Sequence, residues 1–190
     1  MMSPDLLLPG FADPGAQSQN CFRAVLDAMA HPGRILSAPP VTPPPPLHPT
    51  TGAVLLTLLD GDTPVWLDEA VAASAPWLAF HCGVRLVDAA RAAFAVACEM
   101  PALQALPPGS DVAPEAAATL ILQVPALGRG TSYTLTGPGL PAPTSFRAAG
   151  LPADFVSQWH ANHARFPMGI DLILCAPDGI AALPRSVEVA

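Results

Sequence analysis

The chain has 190 residues, 15 acidic against 8 basic side chains, a formal charge of −7 and 51% hydrophobic residues, and every basic residue is an arginine. With no lysine, a pyridoxal-phosphate Schiff base and a P-loop are both excluded, because each needs that amine. The acidic balance also excludes the basic footprint expected of a nucleic-acid binder.

Met1–Gly10 carries three leucines and no basic residue, so it lacks the n-region and h-region of a signal peptide. Residues 1–15 read as a tail and the rest as one domain. Phe22, Val25, Leu26 and Met29 recur at i, i+3, i+4 and i+7 and predict an amphipathic helix over Ala16–Ala30. His31-Pro32-Gly33 stops it, and Arg34–Ser37 reads as a short strand. Residues 38–49 form a proline-rich loop expected on the surface, either a rigid connector or a polyproline ligand. Thr50–Leu59 opens on a threonine cap and is apolar on most faces, so it is buried on both sides or in an oligomer.

Asp60-Gly61-Asp62 turns into a strand at Val65–Leu67. Ala72–His81 reads as a helix, Ala92–Ala97 as a strand and Met100–Leu106 as a short helix. Ala118–Val124 is a near-continuous apolar run of the interior-strand kind. Ser132–Thr136 follows and ends at Gly137-Pro138-Gly139. Ala153–His163 reads as a helix, and Ile170–Cys175 and Gly179–Leu183 as strands about the turn Pro177-Asp178-Gly179. Interleaved helices and strands predict an α/β, three-layer αβα sandwich with a mixed sheet. There is no internal repeat and no apolar run long enough to span a membrane.

Charged residues make up 12% of the chain, against roughly 25% in an average domain. Over a folded surface of about 8,500 Å², this leaves uncharged patches of interface size. Partners are one explanation; the composition of a GC-rich genome is the other. Cys21, Cys82, Cys98 and Cys175 lie far apart with no C-x-x-C spacing, which points to buried free thiols in a cytoplasmic protein.

Several residues are candidate sites. Asp60 and Asp62 share a turn that suits either a Mg²⁺ ion or a polar cap. His160 and His163 lie one helical turn apart, with no evident third ligand, and read as surface histidines. Gly128-Arg129-Gly130 reads as a turn between strands. No G-x-S-x-G elbow supports a hydrolase. Asp171, flanked by Ile170 and Leu172, opens a strand half-buried and needs a partner; Arg23, Arg165 and Arg185 are available. A structural ion pair and a ligand-contacting pair both remain open. In the second case Asp62, Glu115, Asp171 and an arginine (Arg23 or Arg185) would line a cleft.

Read in order, the segments Cys21–Met29 with His31-Pro32-Gly33, Leu55–Leu67, Ala113–Glu115 with Ala118–Val124, Leu135–Leu140, Phe166–Leu174 and Pro184-Arg185 resemble one family. It is the PhnH family of phosphonate-metabolism proteins, a component of the bacterial carbon–phosphorus lyase core complex. The resemblance runs from about Ala16 to Arg185. It implies a fold similar to the large domain of pyridoxal-phosphate-dependent transferases, used without that cofactor. It implies a homodimer in isolation and, in the cell, assembly with subunits G, I and J. That assembly displaces adenine from ATP with a phosphonate, giving ribose 1-phosphonate 5-triphosphate. The resemblance carries over no catalytic residue, and the chain is not expected to be active alone. The His160/His163 pair lies outside the family pattern, and Pro39–Pro49 is richer in proline than the family. Holding a polyphosphate requires concentrated positive charge or oriented N–H groups. Eight scattered arginines in a chain of charge −7 therefore favour an assembly subunit over a catalytic one.

Overall fold

A computed structural model describes residues 8–190, so most of the segment read above for a signal sequence lies outside the described residues. Helix α1 spans Pro14–Ala30. Asp13 caps it, its carboxylate accepting the Ala16 N–H at 3.1 Å, and Pro14 takes the first helical position, where a missing N–H costs nothing. The buried face of α1 is Cys21, Val25 and Ala28. The predicted stripe is corrected here, because Phe22 and Leu26 are 46% and 51% exposed. Two faces share Val25, and the one with small side chains lets α1 lie close against the helix Pro49–Leu58 and the strand Gly179–Leu183.

Helix α2, Pro49–Leu58, is buried from Thr50 to Leu55 on every face, as its pattern requires. Thr50 is not its cap: His48 holds that position, and the Thr50 hydroxyl donates to the Ala176 carbonyl at 2.5 Å. The loop before it lies only partly on the surface, with Pro40, Thr42, Pro45 and Pro46 exposed. Val41, Pro43, Pro44 and Leu47 are buried. Pro43 packs on α2 at Gly52, where any Cβ would stand 2.9 Å from the proline ring.

The remaining elements are β1 (Pro64–Leu67), α3 (Ala75–Cys82), β2 (Arg85–Leu86), β3 (Phe94–Ala97), β4 (Thr119–Gln123), β5 (Ala126–Thr136), β6 (Thr144–Ala149), α4 (Phe155–His163), β7 (Asp171–Ala176), β8 (Gly179–Leu183) and β9 (Glu188–Val189). The predicted helix at Met100–Leu106 is a single 3-10 turn, Leu103–Ala105, and Arg34–Ser37 is one bridge from Leu36 to Ile180. The main sheet has six strands in the order β2-β1-β3-β4-β7-β8. The first five are parallel and β8 is antiparallel, so the sheet is mixed.

Side chains alternate across this sheet with the period of two that strands impose. Val96, Ile121 and Ile173 share a register row and face the helices α1, α2 and α3. Ala95, Leu120 and Leu172, the adjacent row, face the other way. The expectation of helices on both faces is corrected at this layer. The second face is covered by a three-stranded antiparallel sheet, β6-β5-β9, together with α4. Tyr133, Leu135, Phe146 and Ala148 point inward from it beside Phe155 and Trp159.

Gly128-Arg129-Gly130 is not a turn between strands. It lies within β5, at a register shift between Leu127 and Thr131, both of which oppose Ala148. Gly128 and Gly130 take φ of 75° and 93°, the left-handed region in which glycine has no steric cost. No helix among the described residues is long and apolar enough to cross a membrane.

Candidate functional site

Open α/β sheets bind ligands at the carboxyl ends of their parallel strands, where the strand order reverses. Here that point lies between β1 and β3, since β2 stands on one side of β1 and β3 on the other. The chain fills it with its own groups. Asp68 directly follows β1. Its Oδ2 accepts the Cys98 N–H at 2.7 Å and its Oδ1 accepts the Val71 N–H at 2.9 Å. A carboxylate of the protein thus takes two backbone donors that an anionic ligand would use.

One strand further, Gln123 ends β4 and is only 5% exposed. Its Oε1 accepts the His48 N–H at 2.5 Å, while its Nε2 donates to the Pro46 carbonyl at 3.3 Å and to Cys98 Sγ at 3.0 Å. His48 Nδ1 lies 3.3 Å from the Cys175 carbonyl, where β7 ends; it donates in the tautomer that protonates this nitrogen. With Thr50 bonded to Ala176, these contacts tie the proline-rich loop over the ends of β3, β4 and β7. Sequence reasoning missed Asp68, Gln123 and His48. The available signal was the lone amide in the apolar run Ala118–Val124, since a buried polar side chain requires partners.

The thiols supply no nucleophile. Burial pushes Cys175 up to about 12, and burial with nearby Asp60 pushes Cys82 up to about 11. Burial also raises Cys21 and Cys98, against weaker hydrogen bonds from Thr57 and Gln123. All four therefore stay protonated at neutral pH, whereas a reactive cysteine needs its thiolate.

The sequence-predicted cluster lies at the opposite end of the strands. Asp171 opens β7, and Arg185 follows β8. Arg185 Nη2 and Nε reach the two Asp171 oxygens at 2.5 and 3.0 Å, its main-chain N–H donates to Oδ1 at 2.8 Å, and Nη1 donates to the Pro114 carbonyl at 2.7 Å. The two side chains are 16% and 13% exposed. This fork-to-fork pair pins β7, β8 and the turn before β4 together.

Glu115, next to Pro114, points to solvent, as do Asp62 in the turn before β1 and Arg23 on α1. The five residues therefore do not converge: Asp171 and Arg185 meet, Glu115 adjoins their contact, and Asp62 and Arg23 stand elsewhere. None of them lines the concavity of about 310 Å³ between α4 and the 102–104 turn, whose polar walls are Gln104, Asp154, Gln158, Asn162 and Arg165.

Asp60 and Asp62 serve a turn. Asp60 Oδ1 accepts the Thr63 hydroxyl at 2.6 Å and the Asp62 N–H at 3.1 Å, and these bonds hold the Asp60 carboxyl below its ordinary range. His160 and His163 are not free surface groups. Their ring nitrogens reach the carbonyls of Val189 and Arg185 at 2.7 and 2.9 Å, which fastens the C-terminal segment to α4. Among the described residues, no group of three or more His, Cys, Asp or Glu side chains is placed to hold a metal ion.

The chain is similar to known proteins over nearly its whole length. The sequence profile of the bacterial phosphonate metabolism proteins (PhnH) matches residues 9–190. The alpha-D-ribose 1-methylphosphonate 5-triphosphate synthase subunit PhnH of Rhizobium meliloti (strain 1021) is 39% identical over 188 residues, covering 94% of this chain and 93% of that protein. HtxG of Stutzerimonas stutzeri, provisionally named a C-P lyase subunit protein, is 30% identical over 180 residues, covering 91% of this chain and 86% of that protein.

Proposed function

Because this chain belongs to the PhnH family of bacterial phosphonate metabolism proteins, we propose that it serves the carbon–phosphorus lyase complex as its PhnH component, in an assembly role. In this reading it works with subunits G, I and J to form alpha-D-ribose 1-methylphosphonate 5-triphosphate from ATP and methylphosphonate. Its relatives carry the names of that synthase and of a C-P lyase subunit.

One observation carries the non-catalytic part. The crevice where this sheet type binds ligands is closed by Asp68, Gln123 and the loop that Gln123 holds. The uncharged surface has the role expected of docking faces: Phe22 and Leu26 stand side by side on α1, 46% and 51% exposed. The isolated chain is read as a cytoplasmic homodimer. Its fold is read as that of a pyridoxal-phosphate transferase domain working without the cofactor, a reading the missing lysine supports.

The test is co-expression of subunits G, I and J with and without this chain, following complex formation and adenine release together. Both should fail without it, and the purified chain alone should release no adenine. Adenine release by the chain alone would make it the catalyst.

A further inference from the structure

We propose that the β5–β6 ribbon docks an extended acidic segment of a partner subunit, which adds as a strand to the free edge of β6 and pairs its carboxylates with Arg129 and Arg147. The proposal rests on the subunit reading above and names the surface that reading leaves open.

Charge is the first observation. The chain distributes 15 acidic residues over its length, yet none falls between Glu115 and Asp154, where the only charged residues are Arg129 and Arg147. The fold puts both on one ribbon. Arg147 of β6 stands opposite Ser132 of β5, and Arg129 tops the bulge opposite Ala148. Both are exposed, and neither belongs to an ion pair among the described residues. Their outward neighbours Ser132, Thr134 and Ser145 are uncharged and exposed. The acid on this sheet, Glu188, sits on β9 at the far edge, 3.6 Å from His163.

The edge is the second observation. Strand β6 is the outer strand of its sheet. An outer strand turns alternate N–H and C=O groups toward solvent, a template for a further strand. Within Thr144–Ala149 there is no proline and no bulge to blunt it.

The bulge is the third. At Gly130 an added Cβ would lie 2.6 Å from the Ala148 carbonyl oxygen, so β5 presses directly on β6 there and Arg129 is thrown outward. Bulges re-aim side chains in this way. Arg147 alone could be a guard against edge-to-edge aggregation. Guarding needs neither a second arginine raised on a glycine bulge nor a run of chain, 116–153, free of acidic side chains. The concavities beside α4, beside Ser132 and at Arg91 are walled by neither arginine. A strand has its main-chain bonds for affinity and the two guanidinium groups for choice of partner.

The test uses the full chain alone and in complex with subunits G, I and J. Hydrogen exchange is read at residues 144–149, and affinity is measured for wild type, R129E/R147E and R129K/R147K at low and high salt. Urea midpoints confirm that both variants fold. The expected result is slower exchange at 144–149 in the complex, about tenfold weaker binding on charge reversal, near-retention with the lysine pair, and a smaller salt dependence in the reversed variant. Complex formation with unchanged exchange at 144–149 and wild-type affinity in R129E/R147E would overturn the inference and leave the subunit reading standing. No complex with wild type would sink both. Protection that grows with the concentration of the isolated chain would assign the edge to a second copy and overturn the acidic partner.

Discussion

Arg185→Met removes the guanidinium that closes the amino ends of the strands and keeps most of the side-chain volume. Asp171 then retains the residue-185 N–H at 2.8 Å and loses the donors at 3.0 and 2.5 Å, while the Pro114 carbonyl loses its donor at 2.7 Å. Both side chains are less than one-fifth exposed, at 13% and 16%, so water only partly replaces what is lost. Two charge-assisted bonds at about 1.5–3 kcal/mol each agree with the roughly 3–5 kcal/mol for stranding one member of a buried pair. The surviving N–H contact favours the low end, about 3 kcal/mol. For a chain of this length that is a fall in Tm of roughly 6–12 °C.

Urea unfolding of wild type, Arg185→Met, Asp171→Leu and the double variant closes a thermodynamic cycle. The double variant should be more stable than the sum of the two single losses predicts, because no lone charge remains. A loss below about 1 kcal/mol in Arg185→Met, or simple additivity in the cycle, would refute the reasoning.

Gln123→Leu leaves the His48 N–H and the Pro46 carbonyl without their partner; a loss of about 1–3 kcal/mol and faster proteolysis within residues 39–49 are expected, and an unchanged cleavage rate would contradict the clamp. Burial holds the Cys175 proton to about 12 against 9.0 for a free thiol. The unfolded chain therefore releases that proton first, and stability present below pH 9 is lost progressively above it. The slope of unfolding free energy between pH 9 and 10.5 should be shallower in Cys175→Ala than in wild type, which urea titrations at several pH values will read. Phe22→Ser with Leu26→Ser should leave the unfolding free energy in urea within about 0.5 kcal/mol of wild type yet weaken self-association or capture by subunits G, I and J in sizing and pull-down; unaltered assembly would remove the α1 face from the docking surface.

Much of the fold was legible because its core elements carry their full periodicity locally. The runs at β4 and β7 are apolar at every buried position except Gln123 and are interior strands. Helix α2, apolar all round, is buried all round. What failed was decided by tertiary packing. Along α1 two stripes pass through Val25, and only the neighbours α2 and β8 choose the one with Cys21 and Ala28. Strand β5 was cut short because its glycines look like punctuation. In a bulge the left-handed residues sit inside the strand rather than beyond it, and that depends on β6, a strand no local pattern announced.

The site divides in the same way. Asp171 was legible as a charge in need of a partner, and Arg185 stood among the possible ones. Asp68 reaches Cys98 at 30 positions' distance and Gln123 reaches partners 25 to 77 positions away, which spacing does not reveal.

The loop over residues 39–49 also changes the meaning of the proline content. An irregular segment laid into a core normally brings amide hydrogens that find no acceptor, each costing as much as a lost hydrogen bond. Pro43 and Pro44, both buried, have no such hydrogen to satisfy. Their fixed φ also removes conformations that the unfolded chain would otherwise forfeit on folding. A proline-rich stretch can thus serve as the lid of a sheet without any ladder of its own. Substituting Pro43 or Pro44 would bring a main-chain N–H into this buried stretch that then needs an acceptor.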